Sequence, residues 1–226
     1  MTLLDLAFKN CLLLMDGPVL RKGWIVVNDG FVHSFGYGEL PSGEVPAGMR
    51  TEDLKGSIVT PGLFDAHMHF FQWSISRKAV NLYHCISRED IIRKMNERYE
   101  SDIRPFFDSC GILFGVDYDE SKFIGEKSIS ARDLEIAFRD IPVMIRRICG
   151  HKIILNSKAM DLLPIDSERD DGVLLEDEAM KASWKIELPE KILAEFYKEA
   201  LNEMYKKGLT GGVDIIPRDT LSVHTE

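Results

Sequence analysis

Ile58-Val59-Thr60-Pro61-Gly62-Leu63-Phe64-Asp65-Ala66-His67-Met68-His69 decides how the rest of this chain is read. Ile58 and Val59 run into a Pro61-Gly62 turn, and the turn leads straight into a second apolar run. Successive side chains of a strand point to opposite faces. A strand here therefore aims Asp65, His67 and His69 one way and Phe64, Ala66 and Met68 the other. Two imidazoles one pleat apart can hold one metal ion, and imidazole suits zinc and its first-row neighbours. Asp65 is then either a further ligand or an acceptor that orients a histidine ring. A bare H-x-H arises readily by chance in a chain of 226 residues with six histidines. The turn and the apolar strand around this pair give it weight.

Before that stretch, residues 5–57 read as β. Apolar runs at 11–15 and 24–27 are separated by Asp16-Gly17-Pro18. Asn28-Asp29-Gly30 predicts a hairpin, because such turns need positive φ and these residue types tolerate it. A Pro- and Gly-rich loop follows at 41–48. After the stretch, strands and helices alternate, which argues for a parallel α/β architecture. Ser87 with Asp90, and Ser130 with Asp133, carry the spacing of helix caps. Pro189 opens a helix whose apolar face includes Leu193, Phe196, Ala200 and Met204, and Gly208 ends it. Compact strands are expected at 111–116, 142–148 and 213–216. Residues 164–189 show no clear period and read as an insertion or covering loop.

Composition narrows the function. The balance of 28 basic and 37 acidic residues gives −9. No basic patch suggests nucleic acid or an anionic membrane as a partner. The run at 11–15 is too short to span a bilayer. Four cysteines, at 11, 85, 110 and 149, show no C-x-x-C spacing. Scattered single thiols fit a reducing cytoplasmic location better than a disulfide framework.

The Pro61, Gly62, Asp65, His67, His69 pattern resembles the first barrel strand of the amidohydrolase superfamily, P-G-x-x-D-x-H-x-H. Further stretches resemble its amidohydrolase-3 branch. Gly111–Asp117 is similar to G-x-x-G-x-x-D, and Pro142-Val143, Gly150-His151 and Asn156-Ser157 to P-V…G-H…N-S. Gly172–Glu176 is similar to G-x-L-x-E, and Gly208-Leu209-Thr210 to G-x-T. The resemblance spans roughly residues 5–217. It implies a small β-sandwich over residues 1–57 and part of a (β/α)8 barrel over 58–226. It also implies a metal-dependent hydrolase of non-peptide amide, formamide or cyclic amide bonds, acting on a small molecule.

What the resemblance implies for residues is specific. His67 and His69 would be metal ligands, with zinc foremost and iron, nickel or manganese as alternatives, as one ion or two. Glu176 would be a third or bridging ligand, although the Glu176-Asp177-Glu178 run also reads as a solvated acidic face. His151 and Asn156 would contact substrate or brace a loop, and Asn156 equally suits a helix cap. Trp73 would shape a hydrophobic pocket or pack beneath the next helix. A complete barrel takes about 250 residues, and residues 58–226 fall well short. Later ligands and the catalytic carboxylate have no counterpart here, and His224 lies in a polar tail. The expectation is an N-terminal part that pairs with a complementing chain or self-associates. The rival reading is a non-catalytic relic or a structural metal-binding module.

Overall fold

The computed structural model describes residues 5–14, 18–123, 128–163, 165 and 171–216. His224 and the Asp16-Gly17 turn lie outside the described residues, as does part of the 164–189 segment. The chain divides into two compact units, Met1–Leu63 and Phe64–Glu226.

The first unit is built on one sheet among its described residues. Its strands are β1 (Leu6–Leu13), β2 (Arg21–Asn28), β3 (Phe31–Tyr37), β4 (Arg50–Asp53) and β5 (Ile58–Val59). The order is β3-β2-β1-β4, with β5 also paired to β1. The β2–β3 hairpin turns at Asp29 and Gly30, whose φ values are 52° and 78°, as the Asn-Asp-Gly signal requires. Ala7, Trp24 and Val26 bury against one face, and Cys11, Leu13 and Ile25 against the other. The Ile58-Val59 pair completes this sheet by lying parallel to Leu12 and Leu13. The division thus falls after Leu63 rather than after residue 57.

The second unit begins one residue into β6 (Leu63–Met68) and runs on into α1 (Phe70–Ser76). It continues through β7 (Val80–Asn81), α2 (Arg88–Glu100), α3 (Pro105–Cys110), β8 (Leu113–Tyr118) and α4 (Ala131–Ala137). Then come β9 (Val143–Arg147), β10 (Lys152–Leu155), α5 (Ser157–Leu162), β11 (Val173–Leu175), α6 (Glu176–Trp184), α7 (Glu190–Lys206) and β12 (Leu209–Asp214). The caps form as the sequence signals: Ser87 Oγ accepts from the Asp90 amide, and Ser130 and Asp133 make a full capping box. Residues 164–189 are not all loop, because β11 and α6 form there. A three-residue strand and a helix packed through the small Ala179, Ala182 and Ser183 are too short and too mildly apolar to show a period.

Sheet membership departs from a run of consecutive barrel strands. Strands β7 to β11 form a five-stranded sheet of order β11-β10-β9-β8-β7, while β6 pairs with β12 in a separate two-stranded sheet. Alternation in sequence says that strands and helices follow one another; it does not say which strands share hydrogen bonds. The segment from β7 to β11 is thus an α/β layer inserted between two strands that find each other across it.

Strand periodicity divides the core of the inserted sheet. Phe114, Val116, Met144, Ile153 and Leu155 face one cluster with Phe106, Leu193 and Phe196. Leu113, Val143, Ile145 and Ile154 face another with Ile91, Met95 and Leu134. Helices cover both faces, so its strands are apolar throughout. The β6–β12 ribbon is different. Phe64 is 66% exposed and Val213 51%. Its close approach requires Gly212, where a Cβ would run into Met68 Sδ and lie 3.1 Å from the Asp65 carbonyl oxygen.

Candidate functional site

Strand β6 carries Asp65 and His67, and His69 stands at the N-cap of α1. The two imidazole rings are 5.5 Å apart between centroids and nearly perpendicular, at 83°. Two imidazoles bound to one tetrahedral zinc at ordinary Zn–N distances place their centroids about 5 Å apart. The pair therefore fits a shared ion with a small adjustment. Both rings are exposed, and they line a surface cavity of about 410 Å³ together with Asp65, Trp73, Met204 and Leu209. That volume is in the range of small-molecule sites.

Asp65 sits on the same face, and its Oδ1 accepts the His67 backbone amide at 3.0 Å. It therefore fixes the backbone between itself and His67. Trp73 is half-buried, lines the cavity, and has the Arg77 guanidinium 4.9 Å from its ring. Phe70 stacks beside it at 6.1 Å and meets Tyr197 of α7 at 5.4 Å. Burial pushes the Tyr197 phenol up, and the charge of Asp214 adds to the shift.

Glu176 and His151 are brought together, away from the histidine pair. His151 Nδ1 lies 2.8 Å from Glu176 Oε2, and the Glu176 amide donates to the His151 carbonyl at 2.9 Å. Glu176 takes a φ of +48°, a left-handed conformation rare outside glycine and asparagine. Among the described residues, no group of three or more His, Cys, Asp or Glu side chains converges to hold a metal. Glu176 thus does not join His67 and His69 in this arrangement.

Asn156 is 1% exposed and fully engaged. Its Oδ1 accepts from the Val143 and Ala159 amides, and its Nδ2 donates to the Phe138 and Ile141 carbonyls. With every polar atom committed to capping α5 and tying β9 to α4, it has nothing left for a substrate.

Two residues gave no motif signal. Asp214 ends β12, and its two carboxylate oxygens accept the Phe70 amide at 2.7 Å and the Phe71 amide at 2.9 Å. Arg146 is 9% exposed, donates to Ser76 Oγ at 2.8 Å, and lies 5.6 Å from the Phe114 ring. Burial lowers its guanidinium from the ordinary value, and Asp117 opposes that shift. Both contacts tie the two ends of α1 to strands far away in sequence, which no local pattern announces.

A D-x-H-x-H run along β6 and the start of α1 stands beside a cavity of small-molecule size on an α/β scaffold. The amidohydrolase family matches residues 50–222, and the chain belongs to it. A putative amidohydrolase of Bacillus subtilis (strain 168), YtcJ, is 27% identical over 210 residues, covering 85% of this chain and 39% of that protein. The Arabidopsis thaliana protein LONG AFTER FAR-RED 3 is 23% identical over 228 residues, covering 94% and 35%. An uncharacterized metal-dependent hydrolase from Pyrococcus horikoshii OT3 shares the fold, with a TM-score of 0.75, 24% identity, and 97% of this chain covering 44% of that one. The chain spans less than half the length of these relatives.

Proposed function

We propose that this chain carries the first part of a metal-dependent amidohydrolase site, acting on carbon–nitrogen bonds of small non-peptide amides, formamides or cyclic amides. The observation that carries this reading is the His67–His69 pair, two exposed rings 5.5 Å apart at the mouth of the cavity. His67 and His69 would hold the ion, with zinc foremost and iron, nickel or manganese also suited to paired imidazoles. When bound, such an ion polarises a carbonyl and lowers the pKa of water toward 7. Asp65 holds the strand leading into His67, and Trp73 and Met204 give the cavity an apolar wall that favours the carbon framework of a substrate.

The remaining ligands and the carboxylate that moves the proton come, in this reading, from a complementing segment or second chain. Its strands would extend the β6–β12 ribbon into a (β/α)8 barrel and cover Phe64 and Val213, which are exposed here. The same exposed ribbon also suits self-association of a chain with no catalytic role, and that is the second reading. The test is direct. Purified alone, the chain binds zinc in a manner lost in a His67→Ala, His69→Ala variant, and turns over no amide. Turnover of order 1 s⁻¹ or more by the chain alone, abolished in that variant, overturns the need for a complementing part. Absence of any His67- and His69-dependent zinc binding overturns the metal site itself.

A further inference from the structure

We infer that Asp214 is a positioning residue that sets the orientation of His69 by taking over the capping of α1. This rests on the metal reading of His67 and His69. A residue at a helix N-cap ordinarily turns its own side chain back to accept an amide of the first turn. His69 occupies that position at φ −116° and ψ 61° and makes no such bond. The amides that follow it are instead satisfied from β12. Asp214 Oδ1 accepts from Phe70 and Oδ2 from Phe71, at 2.7 and 2.9 Å, although 144 and 143 residues separate them in sequence. A carboxylate at this end also complements the positive end of the helix.

The consequence is a division of labour. A ring that capped its own helix would be bent toward the backbone and would lose a nitrogen to the amide. With Asp214 serving the amides, the His69 imidazole stays exposed and faces His67 at 5.5 Å. The clamp acts on the peptide immediately after His69. The Ile215 amide donates to the Met68 carbonyl at 3.2 Å, which fixes the peptide immediately before it. Asp214 and its neighbour thus hold His69 from both sides, and the half-buried carboxylate is locked by using both oxygens. Outer partners of this kind fix ligand orientation, and their loss weakens metal binding by about 10–100-fold in known sites.

The experiment uses the full chain, with Asp214→Ala, Asp214→Asn and His69→Ala variants. Zn²⁺ affinity is measured by competition with a chelating dye, and Co²⁺ absorption reports the ligand geometry. Thermal melting and far-UV circular dichroism check the fold. The expected result is a 10–100-fold weaker Zn²⁺ affinity and an altered Co²⁺ spectrum in Asp214→Ala, with its fold retained. Asp214→Asn, which keeps one acceptor oxygen, should fall between it and the parent. Equal affinity and an unchanged spectrum in Asp214→Ala overturn the positioning role and leave the metal reading standing. If the parent chain binds no Zn²⁺ through His67 and His69, the metal reading fails. Positioning is then read in the metal-free chain from histidine ring ¹H–¹⁵N signals. A shifted or broadened His69 ring in Asp214→Ala, with the His84 ring unchanged, supports it, and an unchanged His69 ring overturns it.

Discussion

Leu63-Phe64-Asp-Ala-His-Met68 and Leu113-Phe114-Gly-Val-Asp-Tyr118 are two six-residue strands that open on the same dipeptide. Their fates are opposite. Phe114 is 3% exposed and Phe64 66%. The difference lies in their partners rather than in their own residues. Strand β8 has β7 and β9 on its two edges and helices over both faces. Strand β6 has β12 alone among the described residues. Where a strand is surrounded by its own chain, apolar side chains stabilise the fold. Where it is not, the same side chains are a surface that favours association. The candidate ligands sit on the second kind of strand.

The sharpest way to break the comparison is to truncate both phenylalanines. Phe114 packs against Phe106 at 5.3 Å in the inserted core, so Phe114→Ala should cost about 3–5 kcal/mol. Phe64→Ala should stay within about 0.5 kcal/mol. Urea denaturation of the two variants measures the contrast, and equal losses would mean that β6 is buried in solution, by self-association for instance. Next in size is Asn156→Ala. It strands the Val143 amide and the Ile141 carbonyl, while the Ala159 amide keeps the residue 156 carbonyl and the Phe138 carbonyl keeps the Ile141 amide, a cost of about 3 kcal/mol. An Asn156→Ala chain of unchanged stability would return that residue to the list of substrate contacts.

Smaller again is Gly212→Val, which sharpens the comparison from the ribbon's side. A branched side chain there meets Met68 Sδ and the Asp65 backbone, and overpacking of this kind costs about 1–3 kcal/mol. The ribbon should separate before the inserted sheet does. Faster amide hydrogen exchange at Ile215 and Phe70, with exchange at Phe114 and Ile145 unchanged, is the expected signature. Uniform loss of protection would show instead that the ribbon and the inserted sheet unfold as one unit.

Local signals were legible in the sequence because local physics makes them. The Asn28-Asp29-Gly30 turn, the Ser87 and Ser130 caps and the amphipathic face of α7 each depend on residues within one or two turns of each other. The D-x-H-x-H run was legible only in part, since period two puts Asp65 and His67 on one face while His69 stands just past the strand, at the cap of α1. Strand pairing was not. Partnership of β6 with β12 depends on Gly212 tolerating a close approach, and nothing in the stretch between them marks its strands as a separate sheet. Asp214 was silent for a related reason: an aspartate after a strand is ordinary until the distant helix end it serves is known. Glu176 carried a motif yet lies with His151, because the antiparallel pairing of β11 with β10 sets where it stands.

The smallest expected effect lies beside Asn156, where the inserted sheet's own capping can be read by pH. Glu135 of α4 accepts the Ser157 amide at 2.9 Å and the Ser157 hydroxyl at 3.0 and 2.9 Å. These bonds favour the ionised form, with the Ser157 amide the larger cause, and hold the Glu135 carboxyl below its ordinary value. A group depressed in the folded state adds stability above its unfolded pKa and loses it as pH falls through the folded one. The parent chain should therefore lose this increment from about pH 4.5 downward, as Glu135 takes up a proton and releases Ser157. Glu135→Gln should melt slightly lower than the parent at neutral pH and approach it at about pH 3. A gap between the two melting curves that stays constant over that window would mean that the carboxylate does not cap α5 in solution. It would then serve only as surface charge, and Asn156 would be left as the cap holding that end of the helix.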